Sequence, residues 1–398
     1  MKDLQKMSPI EFKSCSILAS VYALRMLGMF LILPIFAIYA TNLDSNPTSL
    51  QIGLALGIYG LTQAIFQIPF GMSSDYFGRK KVIYFGLLLF IIGSLIAGYS
   101  TSIEGIILGR SIQGSGAISA VLTALLADIT REEQRTKAMA IIGASIGLTF
   151  ALSLVLSPWL NDVIGVDGIF ILMAILSFIA FLLVYFFIKE PEIRKEKAKT
   201  SVDEFFKILK DINLFRMNFG IFVLHATQIS MFMIIPIYLV NQGGINLSDH
   251  WQIYLPILFF SFLLMIPIII FSEKFNKIKI AFLSSIIILF LAQLVFIIFG
   301  HSLVGIILAL LIYFVGFNFL EASLPSLVSK IAPINKKGLA LGVYNTSQSL
   351  GIFVGGALGG LITKVYGYNA SFVFCIALIF LWFVLSLGMQ VANYKKAN

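Results

Sequence analysis

The sequence predicts an all-α integral membrane protein: twelve spanning helices in two pseudo-symmetric halves of six. Three observations predict it. First, 59% of the 398 residues are hydrophobic and only 12% charged, with 37 phenylalanines and a mean hydropathy of +0.97; a soluble chain of this length needs far more polar surface. Second, apolar runs such as 82–98 and 253–271 approach the length that crosses a ~30 Å hydrocarbon layer. Third, the second half of the chain repeats features of the first at a fixed offset.

The apolar runs, taken between polar breaks, place span one at 15–40, behind Lys2, Lys6 and Lys13. It carries no A-x-A cleavage pattern and is expected to remain as a span. Span two, 50–72, ends in GMSSDYFGRKK (71–81), whose Arg79, Lys80 and Lys81 separate it from span three, 80–99. Span four is 104–126; Arg131, Arg135 and Lys137 mark the passage to span five, 136–158, and span six is 167–188. The polar stretch 189–213 follows. Within VDEFFKILKDINLF (202–215), Phe205, Phe206, Leu209 and Ile212 share one helical face with lysines opposite, which predicts a helix lying at the membrane surface and tethering the halves. Spans seven to twelve are 214–240, 250–271, 278–300, 303–326, 338–363 and 369–391. Lys274, Lys277 and Lys279 precede span nine, Lys330, Lys336 and Lys337 precede span eleven, and Lys395 and Lys396 follow span twelve. The expected divisions are therefore 1–188, a linker at 189–213, and 214–398.

This topology puts 25 of the 28 Lys and Arg residues on one side; Lys364 lies opposite, and Arg25 and Arg110 fall inside spans. By the positive-inside rule both termini are cytoplasmic. The net charge of +9 thus reports topology and gives no reason to expect a nucleic-acid partner.

The repeat is specific. MFLILPI (29–35) matches MFMIIPI (231–237) at an offset of 202, and at the same offset Gly114 meets Gly316, Arg135 meets Lys337 and Ala138 meets Ala340. DYFGRKK finds a degraded partner in EKFNKIK (273–279). Two parallel six-helix repeats are one of the transporter architectures. Pro34 and Pro236, at equivalent places, are expected to kink spans one and seven. Gly143 and Gly147 in span five, and Gly351, Gly355 and Gly359 in span eleven, form G-x-x-x-G patterns expected to permit close helix crossing.

Other chemistries lack support. There is no G-x-x-x-x-G-K-[ST] sequence for ATP-driven pumping, no His/Asp/Glu cluster with metal spacing, and no Ser/His/Asp set placed for hydrolysis. Cys15 and Cys375 lie far apart in apolar segments and read as small core residues. No enzyme activity, metal or cofactor is expected.

GMSSDYFGRKK resembles the cytoplasmic 2–3 loop signature of the major facilitator superfamily, G-x-x-x-D-R-x-G-R-[KR]. LGRSIQGSGA (108–117) is similar to the R-x-x-Q-G signature of its proton-linked members, carried here by Arg110, Gln113 and Gly114. The small-residue run GASIGLTFALSLVLSPWL (143–160) stands where its antiporters carry a Gly/Pro motif. The stretches LRMLGMF, GIYGLTQAIFQIPFG, TREEQRTKAMAIIG and GVYNTSQSLG make the likeness greatest to the YajR-type branch of the drug:proton antiporter group, and it covers nearly the whole chain. Tyr76 departs from the loop signature's usual arginine, and the extra soluble C-terminal domain of YajR-type proteins has no counterpart in this sequence.

The resemblance implies the major facilitator fold, in which the first and fourth helices of each half line a central cavity. The four ionisable residues deep in spans, Arg25, Arg110, His225 and Glu321, all lie on those helices. Such groups cost several kcal/mol in hydrocarbon and demand a reason. Glu321, the only deep acid, reads as a proton carrier or as half of a fixed ion pair. His225 reads as a proton partner, a substrate donor or a structural histidine. Arg110 would tune a neighbour, since a guanidinium does not usefully lose its proton; Arg25, near mid-depth of span one, is expected with Arg110, His225 and Glu321 in the proton-coupling set, or else snorkels or pairs with backbone. His250 and His301, near span ends, read as structural.

In the loop, Gly71 and Gly78 are expected to allow close approach and a tight turn. Asp75, Arg79 and Asp128 are expected to cluster beside Lys80. The resemblance makes this loop a cytoplasmic latch between the halves, with Asp75 meeting the partly positive N-terminus of span eleven near Gly338. The expected protein is a monomeric, proton-coupled exporter of drug-like or amphipathic solutes in a bacterial inner membrane. Proton-linked nutrient uptake and a non-transporting sensor remain as alternatives.

Overall fold

The computed structural model describes residues 7–43, 45–131, 134–189, 202–333 and 336–390. Lys2, Lys6, Lys395, Lys396 and the linker cations between 190 and 201 lie outside the described residues. The described chain is almost wholly helical, and it divides into two compact units, residues 1–47 with 54–199, and 48–53 with 200–398.

The first unit opens with α1 (Pro9–Leu31) and α2 (Phe36–Thr41). The gap between them falls at Pro34, as the missing proline N–H requires. Ser8 caps α1: its side chain accepts from Glu11 N while the Glu11 carboxylate accepts from Ser8 N. Next come α3 (Ser49–Phe77), α4 (Arg79–Gly98), α5 (Ile103–Ser115), α6 (Ser119–Ile129) and α7 (Arg135–Phe187). Spans one, two and three are thus α1–α2, α3 and α4.

Span four is broken between α5 and α6, a break the sequence reading did not anticipate. Residues 116–118 leave the helix there, and the carbonyl of Gly116 becomes an acceptor for Arg25. Among the described residues eleven helical segments are long and apolar enough to cross a bilayer, and one of these is α7, of 53 residues. It is not one span. Gly165 has φ +69° and ψ 174°, outside helical geometry, a backbone glycine tolerates best. Both ends of α7 return to the same side: Arg135 Nε donates to Ala127 O near its start, and Lys80 Nζ donates to Ile188 O just past its end. Spans five and six therefore form a hairpin, and the total is twelve.

The second unit repeats the pattern with α8 (Val202–Lys210), α9 (Ile212–Phe232), α10 (Ile235–Asn241), α11 (Trp251–Lys274), α12 (Ile278–Phe299), α13 (Leu303–Ile331), α14 (Lys337–Tyr366) and α15 (Tyr368–Leu387). The α9–α10 break falls at 233–234, beside Pro236, and mirrors the α1–α2 break. Helix α8 packs through buried Ile208 and leaves Phe206 and Leu209 exposed among Lys207 and Lys210.

Lipid tails solvate apolar side chains as well as a neighbouring helix does, so close backbone approach decides packing in a bilayer. In the second unit, a Cβ on Gly351, Gly355 or Gly359 would collide with Phe222, Ala226 or Ser230, so the glycines of α14 let α9 lie against it. Gly143 and Gly147 behave differently. A Cβ on either would meet nothing within 4 Å, so this pair makes no close crossing, contrary to the expectation for span five.

Candidate functional site

The first unit buries two guanidinium groups. Arg25, on α1, is fully buried. Its Nη1 donates to Ser119 Oγ at 2.7 Å, and its Nη2 donates to Tyr59 Oη at 2.8 Å, Gln63 Oε1 at 3.2 Å and Gly116 O at 3.3 Å. The head group stays in the core and does not snorkel. Arg110, on α5, donates from Nε to Ala55 O and from Nη2 to Leu56 O, both at 3.2 Å, and from Nη1 to Gln113 Oε1 at 3.3 Å. Its guanidinium lies 5.2 Å from the Tyr59 ring centre. Tyr59 thus joins the two cations, its hydroxyl accepting from one and its face meeting the other.

Among the described residues neither arginine has a carboxylate within 4 Å. Their charge is held by neutral acceptors, each charge-assisted bond contributing roughly 1.5–3 kcal/mol against desolvation. The motif R-x-x-Q-G is one structural knot. Gln113 accepts from Arg110 and donates to Ser94 Oγ at 2.8 Å. A side chain on Gly114 would collide with Tyr59 O, so the glycine brings α3 up to α5.

At the end of this unit that carries the 2–3 loop, the structure brings Asp75, Arg79 and Asp128 together. Arg79 Nη1 meets Asp75 Oδ1 at 2.7 Å and Nε meets Asp128 Oδ2 at 2.9 Å. Gly78 makes the turn, with φ +94° between α3 and α4. Gly71 does not take part as expected: it sits inside α3, and a Cβ there would make only ordinary contact with Ala120. Lys80 reaches across to the last carbonyls of α7, at 2.6 Å from Ile188 O, where the helix dipole favours a cation. Tyr76 is exposed.

One ion pair there was missed by sequence reasoning. Arg131 donates from its backbone N and Nε to Glu11 Oε1 at 2.9 and 3.0 Å, and from Nη2 to Oε2 at 3.0 Å. The signal was the S-P-I-E capping box at residues 8–11, which starts the helix six residues before the apolar run does.

In the second unit, His225 on α9 and Glu321 on α13 meet, Nε2 to Oε2 at 3.3 Å. His225 is buried and its ring lies edge-on to Phe317; the Glu321 side chain is 30% exposed. The geometry thus supplies Glu321 with a titratable partner in place of a permanent cation. At the 202-residue offset Glu321 stands where Ser119 stands in the first half. Each unit therefore joins its first and fourth spans through a polar contact, Arg25 with Ser119 and His225 with Glu321.

A third residue completes the second contact, and sequence reasoning passed over it. Gln348, on α14, places its amide nitrogen 2.7 Å from His225 Nε2. One ring nitrogen thus faces an amide donor and a carboxylate. Unprotonated, Nε2 can accept from Gln348; protonated, it can pair with the Glu321 carboxylate, whose Oε2 stands at ion-pair distance without a hydrogen bond in this geometry. The two pairings are mutually exclusive, so the amide competes with the carboxylate. The only sequence cue was the polar run NTSQS (345–349) in an apolar span. Of the remaining histidines, His301 is exposed and His250 is fully buried.

Twelve spans in two compact units, each holding a polar contact between its first and fourth spans, define a multi-pass membrane protein of transporter type. The chain belongs to the Major Facilitator Superfamily, whose model matches residues 18–356 and 322–397. It is similar to the inner membrane transport protein YajR of Escherichia coli, 40% identical over 98% of this chain and 86% of that protein. It is also similar to multidrug resistance protein 1 of Bacillus subtilis, 25% identical over 94% of this chain and 95% of that one. Among solved structures, an inward-facing, occupied bacterial homologue of the human lysosomal transporter Spinster matches with a TM-score of 0.75 at 12% identity, covering 96% of this chain and 97% of that chain. That likeness shows the fold. The protein is accordingly a membrane transporter and not an enzyme.

Proposed function

We propose that the protein is a proton-coupled antiporter that exports drug-like or amphipathic organic solutes by alternating access. The observation that carries this reading is the Glu321–His225–Gln348 contact. A deep carboxylate whose partner is itself titratable can exist in two states. With Glu321 ionised, the protonated imidazole pairs with it. With Glu321 protonated and neutral, Nε2 is released to Gln348. A carrier needs such a pair, because its coupling ion must bind on one side of the membrane and leave on the other. The arginines of the first unit supply fixed positive charge that loads and unloads no proton.

Export of amphipathic solutes is supported by the relatives named for multidrug resistance and by a 29% identical match, over 44% of this chain, to the class B tetracycline resistance protein of Escherichia coli. The name of the YajR relative supports an inner-membrane location, and the loop cations support cytoplasmic termini. We read the protein as a monomer, and the Asp75–Arg79–Asp128 cluster as a cytoplasmic latch whose half-exposed Asp75 retains acceptor capacity.

The test is proton flux in liposomes that contain a pH-sensitive dye, across a panel of ethidium, tetraphenylphosphonium, tetracycline and chloramphenicol. Antiport predicts that adding a transported compound on one side moves protons the opposite way. Movement of protons and solute in the same direction would replace export with uptake, and solute binding without any proton movement would favour a sensor.

A further inference from the structure

The buried polar groups of the second unit do not end at His225 and Glu321. Among the described residues buried to nine-tenths or beyond, eight more in this unit carry side-chain polar atoms without an ordinary protein hydrogen bond. Besides Asn218, Gln293, Trp382 and Ser386, these are four that share one line: both amide atoms of Gln228, the hydroxyls of Tyr254 and Tyr313, and both ring nitrogens of His250. The Tyr313 hydroxyl faces Thr227, and the His250 ring lies beside the Ile245 backbone, in neither case with ordinary hydrogen-bond geometry. Native interiors leave few such groups unsatisfied, and buried water is the usual partner where several converge.

These residues form a line. On α9, His225, Gln228 and Phe232 follow one face at spacings of three and four. On α13, Glu321, Phe317 and Tyr313 do the same at spacings of four, so Tyr313 lies about 12 Å along the helix from Glu321 at 1.5 Å per residue. Ring contacts make the series continuous. His225 lies 6.2 Å from Phe317, Phe317 5.6 Å from Tyr313, and Tyr313 5.6 Å from Phe314. Phe314 lies 6.3 Å from Phe232, Phe232 6.3 Å from Tyr254, and Tyr254 6.1 Å from His250. The line thus climbs from the carboxylate to the end of the unit that holds the α10–α11 connection, where Asp249 accepts from Gln252 beside His250.

We propose that this line is a water-bridged proton path inside the second unit, with His250 at its entry and Glu321 at its end. It rests on the proton-coupling reading above. The two ring nitrogens of His250, neither held by an ordinary hydrogen bond, let the ring accept a proton on one and release one from the other. The hydroxyls of Tyr254 and Tyr313 donate and accept in turn, and the Gln228 amide holds the last water before His225. At each hop one N–H or O–H bond forms as another breaks, so a single proton is delivered and no other species is consumed. Phe232, Phe314 and Phe317 lie between these groups and close the line to solute, with bridging water placed between the polar atoms. The path therefore feeds the carboxylate without opening the solute route.

Two measurements on the full chain in liposomes test it. Radiolytic hydroxyl-radical footprinting labels side chains beside bound water even when they are buried. Tyr254, Tyr313 and His250 should label at least tenfold faster than the equally buried Phe170 and Phe282; labelling at the rate of those two overturns the path outright. Proton flux coupled to the most active compound of the panel should then fall at least tenfold in Gln228→Leu and in the Tyr254→Phe/Tyr313→Phe double variant. Wild-type flux in folded variants would overturn the path alone. Absence of coupled flux in the wild type would instead overturn the coupling reading, and the path with it.

Discussion

Replacing Arg110 by lysine keeps the charge and removes the geometry that holds it. The guanidinium makes three hydrogen bonds, to Ala55 O, Leu56 O and Gln113 Oε1, at 3.2–3.3 Å, and lies 5.2 Å from the Tyr59 ring centre. A lysine ammonium is a point donor on a thinner stem; it reaches one of the two α3 carbonyls and cannot lie flat on the ring. Two bonds at about 1.5 kcal/mol each, the low end for a charged donor because they are long, and about 1 kcal/mol of cation–π attraction would be lost, for a total of roughly 4 kcal/mol. Gln113 would also lose the partner that orients it toward Ser94. The assay is a detergent-solubilised unfolding titration of wild type and Arg110→Lys, followed by tryptophan fluorescence, with transport measured in parallel. The expected result is a less stable protein with impaired transport. A variant within about 0.5 kcal/mol of wild type, with unchanged transport, would refute the reasoning and reduce Arg110 to a fixed charge of no particular shape.

Four further outcomes follow from particular contacts. Gln348→Leu should remove the competitor for His225 Nε2 and strengthen the His225–Glu321 contact, shifting the pH dependence of transport while solute binding holds; an unmoved pH profile would show that Gln348 sets nothing. Gly355→Val should drive α14 from α9 and cost several kcal/mol in an unfolding titration, whereas Gly143→Ala should stay within about 0.5 kcal/mol of wild type. Gly78→Ala forces a side chain into φ +94° and should cost roughly 1–3 kcal/mol by the same titration. Arg131→Ala should strip Glu11 of its two guanidinium hydrogen bonds, keeping only the one from the backbone N–H, and raise the hydrogen-exchange rate of the first turns of α1, leaving α3 and α4 unchanged.

The spans were legible in the sequence because a bilayer imposes length and polarity on every crossing helix. The breaks at Pro34 and Pro236 were legible for the same kind of reason, a missing donor. The break at 116–118 was not, because what stabilises it is distant: Arg25 takes the Gly116 carbonyl from another helix. The turn between spans five and six was placed, but as a gap in the apolar pattern, whereas the chain stays helical around a single glycine at 165. Glycine spacing did not distinguish packing from open faces, since span five and span eleven read alike and only the latter has a backbone against it. At the candidate site, ionisable residues in apolar runs stood out one by one. Their partners did not. Ser119, Tyr59 and Gln348 are neutral, ordinary in composition, and brought into contact only by tertiary structure.

The central claim is that Glu321 loads and unloads the coupling proton, and Glu321→Gln tests it most directly, since glutamine keeps the size and hydrogen-bonding capacity of the protonated acid and cannot ionise. In liposomes with an imposed pH gradient, the variant should insert, fold and bind solute while its proton-driven transport falls to the level of protein-free liposomes. Proton-driven transport at the wild-type rate would contradict the account.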